Sequence, residues 1–174
     1  MSNLDQTKKS AKPVKCPACT NLRRDPPAGH GVSPADQIAA QKKKIADMEA
    51  DLARMQATVT SSPAGSAAAI DARKQIDGLI PNLKGIKFEL KVAEDEHAKG
   101  KMQEVDIKIT CDDCKQQFTN VDVVTTNDQG NTVLKECKAS GSFDLAQIER
   151  MKVVSSKFFG SAAVHVTGPT WMKS

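Results

Sequence analysis

Three charged side chains near the middle of the chain, Asp122, Glu136 and Lys138, have the types and spacing that phosphodiester hydrolysis needs. The β-branched runs Val121 to Val124 and Thr132 to Leu134 flank Asn127-Asp128-Gln129-Gly130-Asn131, a turn-rich pentapeptide, and together they predict a β-hairpin. Strand side chains alternate faces, so Glu136 and Lys138 point one way and Cys137 the other, which assigns Cys137 to packing. The turn folds Asp122 back toward the Glu136–Lys138 pair. Two carboxylates offer hard oxygen ligands to Mg²⁺ or Mn²⁺, and the ammonium can position or activate an attacking water. The same Glu-x-Lys spacing also describes an exposed strand with an ordinary ion pair, so the surrounding elements must decide. Asp106, on the preceding apolar run, is the competing acid.

A second set of residues offers softer ligands. Cys16-Pro17-Ala18-Cys19 and Cys111-Asp112-Asp113-Cys114 are two C-x-x-C pairs about 90 residues apart. Cys16, Cys19, Cys111 and Cys114 together would make a four-thiolate structural Zn²⁺ site that closes the N-terminal segment onto the loop after the first core strand. His30 or His97 could replace one thiolate. Four thiolates leave no open position for water, so this metal is distinct from the one at the hairpin. Alternatively, one C-x-x-C pair could act in thiol–disulfide exchange. Cysteines in this pattern suit a reducing compartment better than a disulfide framework.

At 174 residues the chain can bury one ordinary core. Aromatic residues make up 3% of it and Tyr is absent, so the core is aliphatic. The net charge of +4 is unevenly spread: residues 1–24 hold six Lys and Arg against the single acid Asp5. Such a tail is solvated or contacts a nucleic-acid backbone. No apolar run is long enough to span a membrane and no signal peptide opens the chain, so a soluble protein is expected.

The elements that must position these residues follow from periodicity. Ser33-Pro34 starts a helix that runs to about Thr58, with Ile38, Ile45, Met48, Leu52 and Met55 on one seam. Ser61 to Ser66 breaks it, and a second helix, Ala67 to Leu79, pairs with it as a helical hairpin. Pro81 then separates a third helix, Asn82 to about Lys99, capped by Gly100. Val105, Ile107 and Ile109 alternate as a half-buried strand, followed by the hairpin. Phe143 to Phe159 reads as a helix with Leu145, Ile148, Met151 or Lys152, and Ser155 or Phe159 inward, Ser142 or Asp144 near its N-cap and Gly160 at its end. Ala163 to Thr167 is a last strand. The predicted organisation is a basic tail and Cys knuckle at 1–32, a helical hairpin at 33–81 and an α/β core at 82–174.

That order of elements, with Asp122 opening the second strand and Glu136-Cys137-Lys138 in the third, resembles the restriction-endonuclease-like nuclease superfamily, named for its PD-(D/E)XK motif. The resemblance covers residues 82–168. It implies an αβββαβ core, a mixed sheet flanked by helices, and Mg²⁺-dependent endonuclease activity. By that resemblance Asp122 and Glu136 ligate Mg²⁺ or Mn²⁺, with the Cys137 carbonyl as a further ligand. Lys138 orients or deprotonates the water. Gln147 matches a helix glutamine beside the site, and Glu89 matches a glutamate of the first core helix, with Glu94 and Glu96 as rivals. The proline of the motif is absent here, since Asn120-Val121 precedes Asp122.

A small nuclease core behind a helical, zinc-knuckled front further resembles the toxin domains of bacterial secretion-system effectors. This implies a DNase, with RNA as the other possible substrate, made in the bacterial cytoplasm and delivered into a target cell, and a cognate immunity protein as partner. A different class of function fits the same front half: a non-enzymatic zinc-ribbon and coiled-coil adaptor that binds nucleic acid or protein.

Overall fold

The computed structural model of the chain describes residues 19–26, 31–140 and 144–169. Its elements in order are β1 (Leu22–Asp25), α1 (Pro34–Ser61), α2 (Ala67–Ala98), β2 (Met102–Cys111), β3 (Gln117–Thr126), β4 (Thr132–Cys137), α3 (Leu145–Phe158) and β5 (Ala163–Thr167). The five strands form one mixed sheet in the order β1-β2-β3-β4-β5. The first three pairings are antiparallel and β4–β5 is parallel, with α3 as the crossover.

Capping starts α1 where its composition predicts. The Ser33 hydroxyl accepts the Asp36 N–H at 3.1 Å and Pro34 occupies the first turn, where its missing N–H costs nothing. Ser66 caps α2 in the same way. The two helices pack antiparallel: Ile45 meets Leu83 and Ile86, while Ile38 meets Val92 and Ala93. Ile38, Val92 and Ala93 share their cluster with Met102, Val105, Val123 and Cys137, so the base of the hairpin lies on the sheet. The cluster around Ile45 holds helix residues alone, and at about 42 Å α1 extends past the strands.

Pro81 does not separate two helices. It lies inside α2, which runs unbroken across the expected join at 81–82. An interior proline removes a hydrogen bond and costs about 3 kcal/mol. Burial of Leu83 and Ile86 against Ile45, just beyond it, supplies the offsetting packing energy.

β1 falls within residues 1–32, where the sequence predicts only a basic tail and a Cys knuckle. Leu22 and Arg24 face inward and Arg23 and Asp25 outward on the free edge of β2. Arg24 is buried, ion-paired to Glu104, with its guanidinium 5.0 Å from the Phe159 ring centroid. The inward face of α3 agrees with expectation at Met151 and Ser155 and departs from it at Leu145. Met151, Val154 and Ser155 are buried, whereas Leu145 is 70% exposed in the first turn. Asp144 provides the N-cap, its carboxylate accepting the Ala146 N–H at 2.9 Å; Ser142 and Phe143 lie outside the described residues.

The hairpin forms as predicted. Thr126 pairs with Thr132, the Asn127 N–H donates to the Asn131 carbonyl, and Gly130 takes a φ of 79° at the turn. Simple alternation fails along β2 and β3, however. Val105 and Val123, partners in the ladder, belong to the cluster under α1 and α2. Ile107 and Val121, the next partners, belong to the cluster under α3 with Met151 and Val154. The break falls on Asp106 and Asp122. Asp106 has a φ of 51°, a left-handed conformation that costs on the order of 1 kcal/mol in a non-glycine residue.

Candidate active site at the fork of the sheet

The β3–β4 ladder extends only to the Val123–Lys135 pair, while the β4–β5 ladder continues to Cys137–Thr167. The strands therefore part at Asp122 and Glu136. At the fork the Cys137 N–H donates not to β3 backbone but to the Asp122 carboxylate, at 2.6 Å. The other Asp122 oxygen accepts from the Asn120 side-chain amide at 2.7 Å. Asn120 was not singled out from the sequence, although its place two residues before Asp122 on one strand is a same-side spacing.

Glu136 is 1% exposed. Oε1 is ion-paired to the Lys138 ammonium, while Oε2 is buried with no hydrogen-bond partner among the described residues. Lys138 donates in turn to Gln147 Oε1 at 3.2 Å, and its backbone N–H bonds the Thr167 carbonyl at 2.8 Å. Gln147 reaches it from the first turn of α3. Glu89, half-buried on α2, faces this group electrostatically, with Asp122, Glu136 and Lys138 all within its field. Its rivals on α2 are engaged elsewhere: Glu94 pairs with Lys42 at 2.7 Å, and Glu96 with Lys99 and Lys135. The fork thus brings together Asp122, Glu136, Lys138 and Gln147, and Glu89 acts on them through its charge from α2.

Asp106 sits opposite Asp122 across β2 and β3 but bonds Lys44 of α1, at 3.1 Å. Cys137 is buried in the core, its thiol pushed up by burial and then by the Asp122 charge.

The electrostatics of the fork are those of crowded acids. Burial, then the neighbouring Glu89 and Glu136, push the Asp122 carboxyl well above the usual carboxylate range. Burial also raises Glu89, with Asp106 the next cause. A divalent cation relieves such crowding. The hard oxygen donors and the unpartnered Glu136 Oε2 fit Mg²⁺ or Mn²⁺.

The thiols form a separate site. The Sγ atoms of Cys19, Cys111 and Cys114 all lie within 4.8 Å of one another, with Cys19 and Cys114 4.0 Å apart. Thiolates around a tetrahedral ion at about 2.3 Å stand roughly 3.8 Å apart, so these three could hold a metal ion. Burial, with hydrogen bonds from Cys111 and Cys114, pushes the Cys19 thiol up to about 12; the Cys114 N–H, above all, lowers that of Cys111. Backbone pairing brings Cys19 to the loop: the Asp112 N–H donates to the Asn21 carbonyl at 2.8 Å, and Arg23 bonds Asp112 at 3.1 Å. Cys16 and His30 lie outside the described residues, and His97, exposed at the end of α2, is not in the thiol group.

No family model and no curated protein matches the chain. Among solved structures, protein VC1899 from Vibrio cholerae aligns at a TM-score of 0.40 and 10% sequence identity, over 85% of this chain and 49% of that one. The chain therefore spans about half the length of that neighbour. None of the described helices is long and apolar enough to cross a membrane.

Proposed function

We propose that the protein is a Mg²⁺-dependent endonuclease of the restriction-endonuclease-like type. The observation that carries this reading is Glu136: a fully buried carboxylate with one oxygen on Lys138 and the other unpartnered, beside the buried Asp122. A buried charge left half-satisfied costs stability, which a purely structural ion pair has no reason to bear. Asp122 and Glu136 would hold the metal, which when bound supplies Lewis-acid stabilisation of charge on the phosphate. Lys138 orients the attacking water and places a positive charge where the phosphorane-like charge develops. Gln147 holds the Lys138 ammonium in place, and Asn120 and the Cys137 N–H fix the Asp122 carboxylate. Glu89 adds negative charge that favours the metal-loaded state.

The substrate in this reading is DNA. Extension to an antibacterial effector with an immunity partner rests on the sequence resemblance of the helical, cysteine-bearing front. In the same reading Cys19, Cys111 and Cys114 hold a structural Zn²⁺, with Cys16, three residues before Cys19, as fourth ligand.

Plasmid digestion tests the function. Linearisation or nicking is expected with Mg²⁺ and none with EDTA. Glu136→Gln and Lys138→Ala should each lower the rate by about 10²- to 10⁴-fold with circular dichroism unchanged. Full cleavage by both variants would refute the site; no cleavage by the wild-type chain, with DNA binding retained, would favour the adaptor. Expression in a bacterial cytoplasm should arrest growth only when Glu136 is intact.

A further inference from the structure

The fork leaves one cation of α3 without a role. Arg150 lies one turn after Gln147, with its side chain 33% exposed. Its one anionic partner among the described residues is Asp144, whose Oδ2 accepts from Nη2 at 3.5 Å, the long limit of a hydrogen bond. Nε is buried with no acceptor among the described residues. Nη1 is neither bonded there nor buried, so it is open to solvent.

An ion pair kept for stability has a different form. Stabilising pairs on a helix surface stand three or four residues apart, whereas Asp144 and Arg150 are six apart. The other Asp144 oxygen already caps the Ala146 N–H at 2.9 Å. A guanidinium two-thirds covered, with one donor dry and another on a stretched contact, adds little to the fold. Its donors suit an anion that arrives from outside.

The spacing also locates the guanidinium. Six residues of helix rise about 9 Å, so an Arg150 side chain that touches Asp144 runs back along α3 to its first turn. Gln147 stands midway on the same i, i+3 ridge. Its Oε1 holds the Lys138 ammonium at 3.2 Å, and Lys138 is ion-paired to Glu136 in the fork. Two cations are thus gathered at the first turn of α3, Lys138 inside the fork and Arg150 on its rim. Glu136 given over to a metal would leave Lys138, too, without its acid.

We propose that Arg150 is a phosphate-binding residue, which takes the phosphate next to the scissile one and so holds the nucleic-acid strand across the fork. This rests on the nuclease reading. Asp144 is the resting place of the guanidinium when no strand is bound. The planar guanidinium presents a fork of donors that matches the two non-bridging oxygens of a phosphodiester. The scissile phosphate belongs to the carboxylates' metal and to Lys138, so a cation on the rim meets its neighbour.

Binding is read first, without cleavage, by titrating the full chain against a short fluorescein-labelled DNA duplex in EDTA at several salt concentrations. One phosphate contact contributes about 0.9 to the slope of log K against log salt. Arg150→Ala should lower the slope by about that amount and weaken low-salt binding at least fivefold, equally for different sequences. Arg150→Lys should keep the slope and recover part of the affinity. Asp144→Asn separates binding from a structural role, because asparagine caps a helix as well as aspartate does while the resting ion pair is lost. It should tighten binding at least twofold, and do so far less in the Arg150→Ala background. An unchanged slope in Arg150→Ala, or an Asp144→Asn gain that is absent or equal in both backgrounds, would overturn the proposal. Cleavage with Mg²⁺ is the second arm. Arg150→Ala should lose at least fivefold more kcat/KM on DNA than on bis(p-nitrophenyl) phosphate, which has a single phosphate, and the loss on DNA should fall on KM. Equal losses would put Arg150 at the scissile phosphate and overturn the assignment. If the wild-type chain hydrolyses neither substrate, the nuclease reading falls, and the salt slope still decides Arg150. A wild-type chain that binds no duplex overturns both.

Discussion

At the scale of single residues, the fork concentrates like charge in a dry place. Asp122 is 3% exposed and sits beside Glu136 and Glu89, so its proton is held more tightly in the folded chain than in the unfolded one. The sign of the linkage follows. Below an unfolded carboxyl pKa of about 3.9 the group is protonated in both states and costs nothing; as pH rises beyond that value, metal-free stability falls. Asp122→Asn should therefore melt higher than the wild type at neutral pH without metal, with the gap closing toward pH 4. Mg²⁺ should stabilise the wild type, by about 2.7 kcal/mol at a concentration 100 times its Kd, and leave Asp122→Asn unmoved. Calorimetry with and without Mg²⁺ across this pH range measures both. An Asp122→Asn chain that melts lower throughout would show that the carboxylate is there to bind the Cys137 N–H rather than a cation.

Between elements, α2 is joined to the sheet by charge as well as by packing. Glu96 is 8% exposed and binds Lys99 at 2.9 Å and Lys135 of β4 at 3.1 Å. Burial alone would raise its carboxyl; the two ammonium groups outweigh that and lower it. A depressed carboxyl stabilises the fold above its unfolded pKa of about 4.3, and the contribution is lost as pH falls through the folded value. Glu96→Gln should cost about 1 kcal/mol at pH 7 and progressively less as the pH is lowered below about 4.3, as read from urea unfolding. This contact was not legible in the sequence, where Glu96 stood only as a rival to Glu89. Helical spacing puts both on α2, but which of them meets β4 and which the fork depends on where the strands lie. Pro81 makes the same point in reverse: its local rule predicts a break, and packing of residues far away in sequence overrides it.

Across the whole molecule the thiol and carboxylate groups are set well apart. Cys111 ends β2, five residues or about 17 Å along the strand from Asp106, which lies across the ladder from Asp122. The thiols pack with the cluster under α3, together with Phe118, Phe158 and Phe159. A metal there would staple β1 to β2, which four residues of edge pairing alone would hold weakly. Metal analysis should find one Zn²⁺ per chain. Cys111→Ser should lower that content and expose the Arg23–Arg24 bonds to trypsin before the rest of the sheet. Undiminished zinc, or unchanged digestion, would remove the staple.

The sequence by itself determined the capped helices, the Asn127–Asn131 hairpin, the order helix, three strands, helix, strand, and the meeting of Cys19 with Cys111 and Cys114. These are decided by local turn chemistry, caps and periodicity, which act over a few residues. Tertiary structure alone decided the single long α2, the edge strand β1, the exposure of Leu145 and the choice of Glu89 over Glu94 and Glu96 to face Asp122. It also decided the left-handed turn at Asp106 that divides β2 between two cores. Those features arise because strand edges, buried charges and cavities are filled by residues distant in the chain, whose approach no local pattern records.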